Sequence, residues 1–297
     1  MRVLVTGASG RVGRAICSRL SPQHQVVGLD RVASPGVQCI GDLCDAALLD
    51  RALAGVDAII HAAALHAPHV GVLPDAEFER INVEGTDRLL QAAQRHGIRR
   101  LVFTSTTALY GSASTPPDAA GWVTEQTQPL PRTIYHRSKL AAEALLNAAA
   151  AQGGPAVTIL RMSRCFAEAA PLMAAYRLHR GIDARDVAEA HALALGEFAG
   201  TRRTLVISAA TPFQPDDVRG LWSDAPALLQ LRAPALAAEF ERRGWRLPVS
   251  IDRVYVSARA EVELGWRARY GFGEVLAMLD RHDAEVLPPR AEDLLPR

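Results

Sequence analysis

The chain has 297 residues, of which 49% are hydrophobic and 22% are charged, and its formal net charge is +1. That length is enough for one large α/β domain, or for one domain with a smaller appendage. The near-neutral charge argues against partners that are captured mainly by electrostatic attraction, such as nucleic acid or an anionic membrane surface.

Cysteine usage indicates a reducing compartment. The four cysteines form no C-x-x-C pair and have no histidine at zinc-ligand spacing, so we expect small buried residues and no metal site. A strand predicted from the second residue leaves no room for a signal peptide, and no apolar run approaches the roughly 20 residues of a membrane span. We therefore expect a soluble, cytoplasmic protein.

Short apolar runs alternate with helical patterns through the first two-thirds of the chain. This alternation, with β-branched residues in the apolar runs, favours an α/β fold with a doubly wound parallel sheet of the Rossmann type. The predicted strands are Arg2–Thr6, Gln25–Asp30, Val37–Gly41, Ala58–Ala62, Arg100–Thr104 and Ala156–Leu160. The predicted helices are Val12–Leu20, Ala46–Ala54, Asp75–His96 and Tyr135–Ala151.

Beyond Arg161 the alternation breaks down. Prolines punctuate short segments there, which indicates a small C-terminal cap that would bind the substrate. A predicted helix at Ala184–Gly196 and a predicted strand at Thr204–Ser208 return to the sheet. We therefore predict a dinucleotide-binding domain made of residues 1–161 and 183–208, and a cap made of residues 162–182 and 209–297.

A glycine-rich segment follows the first predicted strand. Gly7, Gly10 and Gly13 have the spacing G-x-x-G-x-x-G at a strand-to-helix junction. Such glycines allow a tight turn, close approach of backbone amides to a pyrophosphate, and close packing of helix on strand. A plain turn is the alternative, but the position directly after the first strand predicts a dinucleotide site. Its further residues are Ser9, Arg11 and Val12.

The end of the second predicted strand favours NAD over NADP. Asp30 lies about 20 residues beyond the glycine loop, where a carboxylate can accept hydrogen bonds from ribose hydroxyls and repel a 2′-phosphate. Arg11 and Arg31 are close enough in sequence to bind that phosphate, so NADP remains the less favoured alternative. Other candidate cofactor contacts are Asp42 and Leu43 near the adenine, the small residues Ala62, Ala63 and Ala64, and Thr104.

Tyr135 and Lys139 form a candidate acid–base pair. They lie four residues apart on a predicted helix, and hence on the same face. A phenol keeps its proton until about pH 10, and a neighbouring ammonium favours the phenolate. The pair could therefore exchange a proton with a substrate hydroxyl or carbonyl near neutral pH. Lys139 is the single lysine among the 33 lysine and arginine residues, which indicates a position that guanidinium cannot fill.

Together these motifs resemble the extended short-chain dehydrogenases/reductases of the NAD-dependent epimerase/dehydratase family. The resemblance spans nearly the whole chain. It rests on Thr6–Gly13, Gly41–Leu43, His61–Ala64, Asn82–Thr86, Phe103–Gly111, Tyr135–Lys139, Leu160-Arg161, Asp183–Ala190 and Leu264–Trp266.

The resemblance implies catalytic roles by position. It makes Tyr135 the acid/base and Thr106 the catalytic hydroxyl, with Ser105 and Thr107 as alternatives one residue away. Lys139 would also bind the nicotinamide ribose. The resemblance further implies a homodimer, formed through the two long predicted helices. Asn82 and His61 are expected to be structural, Asn82 bracing a helix and His61 lying in the core.

The substrate region departs from nucleotide-sugar epimerases of the family. Only about 22 residues separate Arg161 from Asp183, where those enzymes have a longer stretch that grips the nucleotide. The R-x-x-x-C-F pattern that starts at Arg161, this short link and the compact chain resemble uronate dehydrogenases, so we expect a small substrate. Arg164 and Arg177 are candidates for binding a carboxylate or phosphate, with structural arginines as the alternative. The other candidate substrate contacts are His66, Thr107 and Ser163.

Three functions remain open at this stage. The first is an NAD-dependent dehydrogenase that moves a hydride to or from a secondary alcohol or ketone of a small sugar, sugar acid or polyol. The second is an NAD-dependent epimerase or dehydratase of a sugar or nucleotide sugar. The third is a non-catalytic dinucleotide-sensing regulator, which is disfavoured because such proteins typically lose the Tyr–Lys pair.

Overall fold

The computed structural model describes residues 1–295, which form two compact units. Unit 1 comprises residues 1–109, 131–161 and 187–205, and unit 2 comprises residues 110–130, 162–186 and the chain from Val206 onward. The first half of the chain contains β1 (Arg2–Thr6), α1 (Arg11–Leu20), β2 (Gln25–Asp30), β3 (Cys39–Ile40), α2 (Ala46–Leu53), β4 (Ala58–His61), α3 (Asp75–Phe78), α4 (Gly85–Arg95), β5 (Arg100–Thr106), β6 (Gly121–Val123) and α5 (Ile134–Ala151).

The second half contains more helices and fewer strands. It comprises β7 (Ala156–Met162), α6 (Ala170–Tyr176), α7 (Ala184–Ala194), β8 (Arg202–Ile207), α8 (Val218–Ser223), α9 (Ala225–Arg232), α10 (Pro234–Arg242), β9 (Arg253–Tyr255), α11 (Ala258–Leu264) and α12 (Phe272–Asp280). No helix within residues 1–295 is both long and apolar enough to cross a membrane.

A seven-stranded sheet dominates the fold, with the strand order β3-β2-β1-β4-β5-β7-β8. β1 pairs in parallel with both β2 and β4, and β4 pairs in parallel with β5. The chain thus builds outward from β1 in one direction and then in the other. The carboxyl ends of β1 and β4 lie at this switch point, where ligands bind in open α/β sheets. The predicted doubly wound α/β fold is confirmed.

The core of unit 1 explains why these segments form these elements. Leu4 and Ile59 from the central strands are fully buried, as are Leu89 of α4 and Leu146 of α5. Strands buried on both faces read as continuous apolar runs, which is why β1 and β4 are recognisable in the sequence. At the start of α5 the Thr133 side chain accepts the backbone N–H of His136, and this cap fixes where the Tyr135–Lys139 segment enters the helix.

Two predicted elements differ from the structure in an informative way. β5 continues to Thr106, two residues beyond its predicted end, because its polar terminal side chains have partners inside unit 1. The predicted helix over 75–96 is interrupted by a π-helical segment, Glu79–Glu84. That segment contains Asn82, which is buried and whose side-chain amide donates to the carbonyl oxygen of Leu65, outside the helix. π-helical turns of this kind occur frequently at functional sites.

Unit 2 has its own apolar core and a two-stranded parallel sheet of β6 and β9. Its core includes Phe213, Leu221, Phe240 and Trp245, all nearly inaccessible to solvent. Because β6 pairs with β9, residues 110–130 belong to unit 2, whereas the predicted division placed them in the dinucleotide-binding domain. No local pattern in the sequence indicates this pairing, which joins residues about 130 positions apart.

Candidate active site

The glycine loop between β1 and α1 is closely packed against the end of β4. Gly7 has φ of +71°, and a Cβ placed on it would lie 2.7 Å from the Ala63 nitrogen. A Cβ on Gly13 would lie 2.0 Å from the Gly7 oxygen. Both positions therefore exclude any side chain. α1 begins at Arg11, directly after Gly10, so its first amides point out of the helix without intrahelical partners, as an anion site requires.

Asp30 joins the end of β2 to this loop. One carboxylate oxygen accepts the Ser9 N–H at 3.0 Å, and the other accepts the Val32 N–H at 2.9 Å. A carboxylate has about four acceptor sites, so two remain for hydroxyl donors. Arg31 is exposed and Arg11 is partly buried.

The other candidate cofactor contacts lie at the ends of β3 and β4. Asp42 accepts the Cys44 N–H at 2.8 Å and an Arg80 N–H at 2.9 Å. Burial alone would raise the pKa of Asp42, but these hydrogen bonds hold it below its usual value. The Leu43 side chain packs in the core of unit 1. The small residues after β4 are all partly exposed; they are Ala62, Ala63 and Ala64.

Lys139 lies on α5 and is only 2% exposed. Its Nζ donates to the carbonyl oxygen of Thr104 at 2.7 Å and lies 3.8 Å from the centroid of the Phe103 ring. Burial lowers the pKa of Lys139 to about 7, although the carboxylate of Glu143 opposes that shift. Near neutral pH the side chain of Lys139 can therefore be either an ammonium or a neutral amine.

Tyr135 lies one helical turn before Lys139 and forms a hydrogen bond with Thr106. Burial raises the pKa of Tyr135 to about 12, and the hydrogen bond from Thr106 partly offsets this. The four-residue spacing of Tyr135 and Lys139 predicted an ammonium that favours the phenolate. In the structure that ammonium donates to Thr104, and burial instead keeps Tyr135 a neutral phenol.

The three adjacent hydroxyls after Thr104 have different surroundings. Thr106 contacts Tyr135, whereas the Ser105 hydroxyl donates to Glu143 Oε1 at 2.5 Å. Thr107 is buried and begins a short 3₁₀ turn. Of the three candidates, Thr106 therefore has the contact that a catalytic hydroxyl needs.

A buried histidine that the sequence argument did not single out supports Thr104. His191 of α7 is fully buried, and its Nδ1 donates to the Val187 carbonyl oxygen at 2.8 Å. Its Nε2 therefore accepts the Thr104 hydroxyl at 2.7 Å. Burial lowers the pKa of His191 to about 4, so the ring is neutral. His191 directly follows the motif Asp183–Ala190, which was the available signal.

Asn82 connects the segment after β4 to α5, whereas His61 connects β4 to β1 and α4. The Asn82 amide donates to the carbonyl oxygen of Leu65 at 2.9 Å and to Ser138 Oγ at 2.9 Å. His61 lies between the hydroxyls of Thr6 and Thr86, and burial with the nearby charge of Lys139 lowers its pKa to about 3. Both residues thus occupy the structural roles predicted for them.

The candidate substrate residues fall into different environments. In unit 1, His66 is partly buried, and its backbone N–H donates to His69 Nδ1 at 3.1 Å. In unit 2, Ser163 is buried, and its hydroxyl has no hydrogen-bond partner within residues 1–295. Arg164 is 45% exposed, pairs with Glu168 and lies over the Phe166 ring.

Arg177 does not fit the predicted ligand role. It is 3% exposed and donates to Asp183 at 3.1 Å. Burial would raise the pKa of Asp183, but hydrogen bonds from Arg185 and the charge of Arg177 hold it below its usual value. A guanidinium buried against an ionised carboxylate is structural, because removing either partner leaves an uncompensated buried charge. Across residues 1–295, no group of three or more His, Cys, Asp or Glu side chains could hold a metal ion.

Comparison with known proteins identifies relatives of this chain. The curated N-acetyl-alpha-D-glucosaminyl-diphospho-ditrans,octacis-undecaprenol 4-epimerase of Escherichia coli O157:H7 is 35% identical over 147 residues, which are 48% of this chain and 42% of that protein. The chain spans less than half the length of the first curated relatives that it matches.

Two solved structures match over nearly the whole chain. A short-chain dehydrogenase/reductase superfamily protein from Agrobacterium tumefaciens with bound NAD is 26% identical, with a TM-score of 0.71, over 95% of this chain and 98% of that chain. MoeE5 in complex with UDP-glucuronic acid and NAD is 25% identical, with a TM-score of 0.70, over 93% of this chain and 97% of that chain. The sequence model of the NAD dependent epimerase/dehydratase family matches residues 3–176, and this chain belongs to that family, as its motifs predicted.

Proposed function

We propose that this protein is an NAD-dependent oxidoreductase that transfers a hydride to or from a secondary alcohol or ketone of a small sugar, sugar acid or polyol. The observation that carries the proposal is the hydrogen bond between Thr106 and Tyr135, one helical turn from the buried Lys139. Two hydroxyls that share a hydrogen bond can both be directed at one reacting oxygen. Lys139 is the cation of the site.

In this proposal each residue has a separate task. When bound, NAD supplies the hydride acceptor for oxidation, and its reduced form supplies the hydride donor. During reduction Tyr135 donates its phenol proton to the carbonyl oxygen, while Thr106 holds the same oxygen. During oxidation Tyr135 takes the hydroxyl proton as a phenolate, which is the minor form at neutral pH because burial raises its pKa. Burial keeps Tyr135 a neutral phenol, the state that donates a proton to a carbonyl oxygen.

The proposed cofactor is NAD rather than NADP. Three features support a dinucleotide with unmodified ribose hydroxyls. They are the lack of space for a side chain at Gly7 and Gly13, the amides at the start of α1, and the acceptor sites that remain on the Asp30 carboxylate. Both nearly full-length structural neighbours carry NAD. Fluorescence titration should show tighter binding of NADH than of NADPH, and Asp30→Ala should narrow that difference. Equal affinities in the wild type would favour a role for Arg11 or Arg31 in binding a 2′-phosphate.

A nucleotide-sugar epimerase is the second candidate, and a specific comparison favours it. The short link between Arg161 and Asp183 suggested a small substrate. MoeE5, however, was solved with UDP-glucuronic acid and is matched over 97% of its chain. A compact chain of this kind is therefore compatible with a nucleotide sugar, and the length of the link does not separate the two candidates. A sugar acid is common to both, and Arg164 is its proposed cationic contact.

One experiment separates these functions. Purified protein is incubated with NAD and a panel of uronates, aldoses, polyols and UDP-sugars, while absorbance follows NADH and mass spectrometry with chromatography follows the sugars. Net NADH with a free sugar or sugar acid supports the dehydrogenase. Conversion of a UDP-sugar to its epimer without net NADH supports the epimerase. Thr106→Ala should slow whichever reaction occurs by about tenfold or more, and Ser105→Ala should slow it less.

A homodimer formed through α4 and α5 is proposed by analogy with the family. Light scattering would then give about twice the 31.9 kDa of the chain. A mass near 31.9 kDa at assay concentration would contradict this proposal.

A further inference from the structure

Behind Lys139 lies a buried ion pair that the proposed reaction does not use. Glu143 is one helical turn beyond Lys139 on α5, and Arg161 is near the end of β7. Arg161 Nε donates to Glu143 Oε1 at 3.1 Å, and Arg161 NH2 donates to Oε2 at 2.7 Å. The Ser105 hydroxyl also donates to Oε1. The side chains of Arg161 and Glu143 are 11% and 5% exposed.

The contacts along β5 show how this pair relates to the catalytic residues. Three adjacent β5 residues each contact a different turn of α5: Thr104 contacts Lys139, Ser105 contacts Glu143, and Thr106 contacts Tyr135. Tyr135, Lys139 and Glu143 are spaced four apart, so they form one stripe on the helix. The carboxylate at the end of the stripe fixes the position of the helix relative to the strand.

We propose that Glu143, held by Arg161 and Ser105, is a positioning residue that maintains Lys139 as an ammonium and keeps α5 in place against β5. The inference rests on the proposed function in that Lys139 is taken as the cation of the active site. Glu143 itself touches no reacting atom. It acts through Lys139, because a carboxylate one turn away in a buried site stabilises the charged form of an amine.

Other charges near Lys139 do not replace this carboxylate. The rings of His61 and His191 are neutral at physiological pH, because burial lowers their pKa values to about 3 and about 4. From β5, Lys139 meets the uncharged Phe103 ring and the Thr104 carbonyl. The titratable groups that interact electrostatically with Lys139 are His61 and Glu143; Tyr135 lies one turn before it on α5, Arg161 pairs with Glu143, and His191 bonds to the Thr104 hydroxyl.

Because Lys139 is the only lysine of the chain, its protonation can be measured directly. Incorporation of ¹³C-labelled lysine gives one side-chain signal, whose chemical shift is followed against pH in the intact protein without cofactor or substrate. The wild-type midpoint should lie near 7. Glu143→Gln should lower it by about one unit, a tenfold fall in the ratio of ammonium to amine. Glu143→Asp, which keeps the charge, should restore most of that difference.

Two further variants keep the test decisive. Glu189→Gln removes a carboxylate that also pairs with an arginine in unit 1, Arg19, and should leave the midpoint unchanged. If Glu143→Gln does not fold, because Arg161 has lost the carboxylate of Glu143, the double variant Glu143→Gln/Arg161→Gln removes both charges and keeps hydrogen-bonding groups in place. Its midpoint should fall in the same direction by a smaller amount. An unchanged midpoint in either folded variant would overturn the inference.

The outcomes also separate this inference from the proposed function. A lowered midpoint in a protein that turns over no sugar would support the positioning role and count against the oxidoreductase. Normal turnover with an unchanged midpoint would support the oxidoreductase and contradict the positioning role of Glu143. Where a substrate is found, the pH profile of kcat in Glu143→Gln should shift in the same direction as the midpoint, while KM changes less.

Discussion

Two buried cations, one in each unit, illustrate how differently a positive charge can be held. Lys139 in unit 1 is 2% exposed and bonds to a backbone carbonyl oxygen beside an aromatic ring. Arg177 in unit 2 is 3% exposed and bonds directly to the Asp183 carboxylate. A lysine with an uncharged partner can lose its proton, and its pKa is lowered to about 7. A guanidinium keeps its charge and needs the carboxylate. The arrangement around Lys139 allows proton exchange, and the arrangement around Arg177 stabilises the fold.

The largest expected effect tests the chemical side of this contrast. Tyr135→Phe removes the acid/base group but keeps the ring, so turnover should fall by at least about 100-fold while NADH binding persists. Steady-state kinetics on a verified substrate, with NADH titration, would measure both. The control is Tyr270→Phe, which keeps its ring beside Arg185 and should leave turnover near the wild-type value. Near-normal turnover in Tyr135→Phe would remove Tyr135 from its proposed role.

The next effect concerns stability and the buried ammonium. The pKa of Lys139 is lowered from 10.5 to about 7, so the unfolded chain binds more protons than the native protein between those values. Stability therefore rises with pH across this window, and below about pH 7 the full cost of burying the ammonium is present. Lys139→Met lacks this dependence.

Urea unfolding would measure that difference. The free energy of unfolding of Lys139→Met minus that of the wild type should be about 2 kcal/mol larger at pH 6.5 than at pH 9. Contributions from other titrating groups cancel in the subtraction. A difference that does not vary with pH would mean that Lys139 titrates normally.

A smaller effect tests the close approach at the glycine loop. Gly7 and Gly55 have nearly the same φ, +71° and +69°, but a Cβ on Gly7 would strike the backbone at Ala63, whereas a Cβ on Gly55 would meet nothing within 4 Å. Both alanine variants carry the cost of a left-handed residue. Gly7→Ala should lower the free energy of unfolding by about 1–3 kcal/mol more than Gly55→Ala does, and it should also weaken NADH binding. Equal losses on thermal unfolding would exclude the close approach as the cause.

The smallest expected effect concerns unit 2. Arg164 is half exposed and already paired with Glu168, so its proposed contact with an acidic substrate is screened. Arg164→Ala should lower kcat/KM for an acidic substrate by about tenfold and spare its neutral analogue. Arg259→Ala is a matched control, because Arg259 forms a similar exposed pair with Glu263. Equal losses for acidic and neutral substrates would show that Arg164 recognises no charge.

The sheet, the glycine loop and the spacing of Tyr135 and Lys139 could all be predicted from the order of the residues. Those features depend on local periodicity: apolar runs specify buried strands, and a four-residue spacing places two side chains on one helix face. The strand-to-helix glycines are equally local. For the same reason the family could be recognised from short motifs along the chain.

The contacts between polar side chains could not be predicted in this way, because they depend on the folded arrangement of distant segments. Ser105 and Thr106 are adjacent in the sequence, yet one contacts Glu143 and the other Tyr135. Arg164 and Arg177 look alike in the sequence, yet one is half exposed and the other is buried against Asp183. Residues 110–130 joined unit 2 because β6 pairs with a distant strand. Such contacts depend on long-range packing, which sets the solvation and the charged neighbours of a side chain, and these in turn decide its chemistry.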